Sequence, residues 1–154
     1  MPLAPKIDET DKAIIRLLQQ DGRRSYTDIA NELGLSPSNI QQRVRRLMEA
    51  NLLTIRAVTD PVALGVLITA TVAIKVDTTR IRQAAAEMAD LPEVGYVAIC
   101  TGPYDVLIEV ACEDQAHLLR FLADKLGQIE GVHSTEVFVY LQIVKNNYVW
   151  GLPP

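Results

Sequence analysis

The chain has 154 residues, 49% of them apolar and 22% charged, with a net charge of −4. That is enough apolar material for one domain or two small ones, and no apolar run reaches the roughly 20 residues that span a bilayer. An N-terminus without an apolar segment argues against a secretory leader, and two cysteines without CxxC or Cys/His spacing, Cys100 and Cys112, argue against a structural disulfide or a zinc site; we expect a cytoplasmic protein with no metal, no cofactor and no membrane partner.

Ile7, Asp8, Glu9, Thr10 and Asp11 open a first helix, with Asp8 as N-cap and acidic or hydroxyl side chains where the helix dipole favours them. Ala13, Ile14, Leu17 and Leu18 then make one buried stripe, and Gly22 ends the helix. A second helix starts at Ser25, with Asp28 three residues on, buries Ile29, Ala30 and Leu33, and stops at Gly34 in a left-handed conformation. Ser36 and Pro37 begin a third, as N-cap and first helical residue. Its apolar positions Ile40, Val44 and Leu47 converge on one side at about 100° per residue. The opposite face presents Ser38, Asn39, Gln42, Arg45 and Arg46, flanked by Gln41 and Arg43.

Arg pairs with guanine, Asn or Gln with adenine, and serine hydroxyls at a helix N-terminus hold phosphate oxygens. Ser36, Ser38, Asn39, Gln41, Gln42, Arg43, Arg45 and Arg46 are therefore candidate contacts to double-stranded DNA. The other reading is a solvated face of good helix formers. Charge favours the first: residues 1–60 carry nine Lys+Arg against eight Asp+Glu, and residues 61–154 carry six against eleven, so a local basic stripe sits on an acidic protein. Asn51 then tolerates a left-handed turn, and residues 52–58 read as a short strand or hairpin, a small wing.

Asp60 and Pro61 break the pattern. We place a domain over residues 1–59, a linker over 60–65 and a second domain over 66–154. In the second, period-2 alternation over 66–76 gives a strand, with Val66, Ile68, Ala70, Val72, Ile74 and Val76 on one side. A helix follows with Ile81, Ala84, Ala85, Met88 and Leu91 inward, stopped by Pro92. Residues 94–101 and 104–112 are strands about a Gly102-Pro103 turn; 114–126 is a helix burying Leu118, Phe121 and Leu122; 132–144 is the last strand. The order β-α-β-β-α-β makes the chain α+β, with a ferredoxin-like four-stranded antiparallel sheet covered by helices on one face. Side chains assigned to the other face, Leu67, Ala73, Val97, Ile99, Leu107 and Val144 or their alternates, are too apolar for a wet surface and predict a homodimer. The tail, residues 146–151 with the single Trp150, either enters a subunit interface or covers its own core.

Four stretches together resemble the Lrp/AsnC, or feast/famine, family of prokaryotic transcription regulators: the IDETD opening, the GRRS joint at 22–25, the LSPSNIQQRVRRL helix at 35–47 and the GPYD loop at 102–105. The resemblance spans essentially the whole chain. It implies a winged helix-turn-helix followed by a regulatory domain that dimerises through its sheet, often assembling to an octamer. It also implies a small effector, commonly an amino acid, bound near Thr101, Gly102, Pro103, Tyr104 and Asp105, with Ser134 and Thr135 from the last strand and its preceding turn. N–H groups around a glycine turn hold a carboxylate, and Asp105 pairs with an ammonium; the plain alternative is an ordinary hairpin. The sequence departs from the family at Asn51, where glycine is usual, and at Pro103, where a polar residue is usual.

Two other classes stand beside this one. Some sirohaem-type tetrapyrrole decarboxylases share the two-domain architecture, and they would need basic and His side chains near the tetrapyrrole, for which this chain offers only His117 and His133. A stand-alone effector-binding assembly would bind no DNA. No Ser/His/Asp set or phosphate-binding glycine loop supports other chemistry, so no catalytic residue is assigned.

Overall fold

A computed structural model describes residues 7–59, 61 and 63–145, which fall into two compact units dividing between Val58 and Thr59. The expected Trp150 tail lies outside the described residues.

In the first unit, α1 (Glu9–Gln20) starts from a reciprocal capping box: Asp11 N–H donates to Asp8, and Asp8 N–H donates to the Asp11 carboxylate. Asp21 caps its end and Gly22 follows in the turn. Ser25 accepts the Asp28 N–H to begin α2 (Tyr26–Leu33), which Gly34 closes at φ +67°. Ser36 and Pro37 begin α3 (Pro37–Glu49) as their chemistry dictates. Ile14, Leu17, Leu18, Ile29, Ala30, Ile40 and Val44 interlock as one core, and Asn51 takes the left-handed turn at φ +55°.

The wing expected at residues 52–58 does not form a strand. A strand needs a hydrogen-bonding neighbour, and its alternation here serves docking instead: Leu53 packs on the helical core and Ile55 lies beside Gly22.

The second unit pairs β1 (Ile68–Val76), β2 (Val94–Ile99), β3 (Val106–Cys112) and β4 (Val132–Val139) in the order β2-β3-β1-β4, all antiparallel. Between them run α4 (Ile81–Ala89) and α5 (Gln115–Arg120), the latter continued by a π turn (Phe121–Lys125) and a short 3-10 turn (Leu126–Gln128). Ala70, Val72 and Ile74 stand in register with Val110, Ile108 and Val106, and this face buries Ala84, Ala85, Met88, Phe121 and Leu126. Both helices therefore cover one face.

The last strand is five residues shorter than expected, ending at Val139, so Val144 lies beyond the sheet; Leu67 lies just before it. Val97 and Ile99 also change sides. An irregularity between Val94 and Tyr96 brings Val97 opposite Ile108 and Ile99 opposite Val106, onto the helix-covered face. A bulge breaks the two-residue period by inserting one extra residue. The open face carries Ala73 and Leu107 as expected, with Tyr96 and Phe138 half exposed on it.

The π turn is held to the sheet by Glu93, whose side chain is 6% exposed. Its Oε1 receives Lys125 Nζ at 2.5 Å and lies 3.0 Å from His117 Nε2. Burial works against the charge, but the Lys125 and His117 hydrogen bonds outweigh it and hold the carboxyl down at about 2. Folding therefore favours the ionised form. The stabilisation is complete above the ordinary carboxyl value of 4.5 and is lost as pH falls from there towards 2. Measured by denaturant titration across pH, the stability gap between wild type and Glu93→Gln should shrink over that window by up to about 3 kcal/mol.

Candidate nucleic-acid interface and effector loop

Burial of Ile40, Val44 and Leu47 to 1% exposure or less fixes which side of α3 faces out. Ser36, Ser38, Gln41, Gln42, Arg45 and Arg46 are exposed, whereas Asn39 and Arg43 are half-buried. Arg45 is the freest of the three α3 arginines, 72% exposed, with its Nε 3.8 Å from Glu49 Oε1. Such an exposed pair holds a side chain only weakly.

Arg43 is placed differently. Its Nη1 lies 2.8 Å from both Asp8 Oδ2 and Asp11 Oδ1, and its Nε donates to Asn39 Oδ1 at 2.9 Å. Arg46 Nη2 reaches Asp11 Oδ2 at 2.5 Å. The Asp11 side chain has no solvent exposure, so two guanidinium groups of α3 neutralise a buried charge at the start of α1. The Arg43 guanidinium, with help from the Asp11 N–H, also holds Asp8 below its usual carboxylate range. Sequence reasoning credited Asp11 only to the helix dipole, because its partners lie more than thirty residues away. The available signal was the matched spacing of two acids, three apart at the start of α1, and two arginines, three apart on α3.

In the second unit the loop after β2 leaves Thr101, Gly102 and Pro103 exposed, with Gly102 at φ +132°. Tyr104 and Asp105 turn inward. The Asp105 N–H donates to Ile74 O at 3.0 Å, and its Oδ2 accepts the Val76 N–H at 3.0 Å with Lys75 Nζ at 3.5 Å. The Val76 N–H, reinforced by Lys75, holds this carboxyl below its usual range. Tyr104 Oη donates to Glu136, which raises the phenol above its ordinary value.

Ser134 and Thr135 are exposed on β4, opposite Lys75 and Ile74. Because β3 and β4 flank β1, they reach the same end of the sheet as Asp105. Lys75, Asp77, His133 and Glu136 join them, with His133 Nε2 2.7 Å from Asp77 Oδ1. Of these, Lys75 had a local signal as the one charge within an apolar strand. His117 lies elsewhere, its Nδ1 accepting the Glu113 N–H near the start of β1. Cys100 and Cys112 are both free thiols, the second pushed up by burial. An open groove of about 290 Å³ belongs to the first unit, lined by Leu18, Gly22, Arg23, Arg24, Ser25, Tyr26 and Ile55. No helix among the described residues is long and apolar enough to cross a membrane.

Comparison with known proteins matches both units. The family model for the AsnC-type helix-turn-helix domain covers residues 7–48, and that for the Lrp/AsnC ligand binding domain covers 69–150. An uncharacterized HTH-type transcriptional regulator of Pyrococcus furiosus is 37% identical over 92% of this chain and 97% of its own. AsnC of E. coli is 28% identical with a TM-score of 0.82, covering 94% of this chain and 98% of that one. A transcriptional regulator of Neisseria meningitidis, solved as an L-Met complex, is 25% identical with a TM-score of 0.82, covering 96% and 97%.

Since Asp105 satisfies a β1 backbone N–H, Asp105→Ala should lower the ligand-free melting temperature by several degrees. Asp105→Asn keeps an acceptor oxygen and should recover most of it. Equal melts for wild type and the alanine variant would show the carboxylate to be structurally idle.

Proposed function

The chain belongs to the Lrp/AsnC family of transcriptional regulators, and on that premise we propose a sequence-specific DNA-binding regulator whose second unit senses an amino acid. The observation that carries the reading is the outward face of α3, where Ser38, Gln41, Gln42 and Arg45 stand exposed on a helix anchored by three buried apolar residues. Gln42 and Arg45 meet base edges in a major groove, and Ser36 and Ser38 meet phosphate near the helix N-terminus. Arg46 keeps half its surface free for the same purpose.

The effector site is the sheet end that gathers Thr101, Gly102, Pro103, Tyr104, Asp105, Ser134 and Thr135. Loop N–H groups suit the carboxylate of an amino acid, and the Asp105 and Glu136 carboxylates suit its ammonium. The L-Met complex of the Neisseria relative supports that ligand class. A second copy covers the open sheet face around Tyr96, Leu107 and Phe138, and dimers build into an octamer in the cytoplasm. Pairing gives two α3 helices for successive turns of DNA and offsets the modest basic charge of one copy.

The tetrapyrrole decarboxylase reading finds no support in the histidines. His117 and His133 lie at opposite ends of β1, each against a carboxylate.

Genomic fragments retained by the protein would supply its operator. On that operator Arg45→Ala should weaken binding by about 1–3 kcal/mol in fluorescence anisotropy, with relaxed preference at one base pair; unchanged binding would remove Arg45 from the interface. Screened by thermal shift against the twenty amino acids, wild type should respond to at least one. The paired substitution Ser134→Ala with Thr135→Ala should weaken that response while leaving DNA affinity without ligand intact. A flat screen would reject an amino-acid effector.

A further inference from the structure

The acids that anchor α3 also act on its reading face through one side chain. Asn39 lies in the first turn of α3, next to exposed Ser38 and one turn before Arg43. Arg43 Nε carries a hydrogen and can only donate, so the Asn39 atom 2.9 Å away must be the carbonyl oxygen. Chemistry alone settles the orientation of this amide. Arg43 is not free to move off, because its Nη1 is held at 2.8 Å by Asp8 and by Asp11, and the Asp11 side chain is fully buried. A buried carboxylate keeps its cation, since separating them leaves an uncompensated charge.

We propose that Asp8, Asp11 and Arg43 form a positioning relay that locks the Asn39 amide, so that Asn39 presents its Nδ2 donor to an acceptor on a base edge. This rests on the reading that the exposed face of α3 enters a groove. The residue reading the base is Asn39. Arg43 reads nothing itself and acts through Asn39, and the acids act through Arg43. An amide left unheld rotates between donor-out and acceptor-out, and guanine N7 and O6, thymine O4 and adenine N7 answer only to the first. The chain thus draws one base preference from a carboxylate buried on another helix.

Selection of binding sites from a randomised duplex library tests this with the full-length protein. The wild type should select a defined site, and a failure to select any would reject the groove reading itself. Comparison with Asn39→Ala identifies the base pair that depends on Asn39, where wild type should discriminate by about fivefold or more. Arg43→Lys keeps a cation for the acids but no nitrogen fixed beside Asn39. It should reduce discrimination at that pair to about twofold or less while the other positions hold.

Asn39→Asp is the second probe, needed if Arg43→Lys does not fold. It keeps the acceptor facing Arg43 and replaces the donor by an oxygen, so it should shift that pair towards a base bearing an amine, cytosine or adenine, with an unlowered melting temperature. Three results would overturn the relay: the same preference in Arg43→Lys as in wild type, a uniform loss at every position with a salt slope smaller by about one, or an Asn39→Ala profile unchanged from wild type. The uniform loss would mean that Arg43 itself holds a phosphate.

Discussion

Asp11 has no contact with solvent, so the cost of burying its carboxylate must be offset by cations that the chain brings to it. Arg43 and Arg46 supply them, and both sit on α3. The same carboxylate also closes the capping box that starts α1. One side chain therefore ties the beginning of the first helix to the middle of the third, across a core in which Ile14, Ile29 and Ile40 are wholly buried. Apolar packing gives the three-helix unit its stability and fixes which side of α3 is buried, but it is non-directional and leaves room for a small rotation of α3 about its axis. Hydrogen bonds from two arginines to one carboxylate do not tolerate it, which is how a small domain keeps a fixed set of side chains turned outward.

The second unit solves its geometry differently. Its sheet buries one face under α4 and α5 and leaves the other to Tyr96, Leu107 and Phe138. One polar cluster, Thr71, Tyr140 and Glu109, sits at mid-strand, and two more mark the ends of β1. Glu93, His117 and Lys125 fasten the π turn beside the start of the strand. Lys75, Asp105 and Glu136 gather at its finish, beside a loop opened by Gly102. The group at the start centres on the buried Glu93 carboxylate, while the one at the finish keeps exposed members such as Ser134 and Thr135.

What the sequence made legible were features whose cause is local. Asp8, Ser25 and Ser36 cap helices because their oxygens reach an N–H three residues on, and Gly34 and Asn51 take left-handed turns that few other residues accept. Alternation gave four strands and their order. Features set by distant partners escaped. The irregularity at Val94 and Tyr96 reverses the faces of Val97 and Ile99, and Gly95 within it is its local signal, one the alternation pattern passes over. Residues 52–58 have a strand's composition but no partner strand among the described residues, and Leu53 and Ile55 dock on the helical unit instead. Arg43 looked like any basic residue on a polar face until Asp8 and Asp11 were seen beneath it. Asp105 looked free for a ligand, yet it already closes the Val76 N–H.

The register of β1 limits how news of a bound molecule can leave its site. Seven residue pairs join β1 to β3 and seven join it to β4, so the strand is clamped along both edges. Sliding it by a single residue would swap Ala70, Val72 and Ile74 for Thr71, Ala73 and Lys75 beneath the helices, bringing a hydroxyl and a charge into the core. Displacement along the strand is thus barred as a means of transmission. The sheet must respond as one stiff plate, and a plate can report only by tilting against whatever rests on it, which places the receiving end of any signal at its surfaces rather than within it.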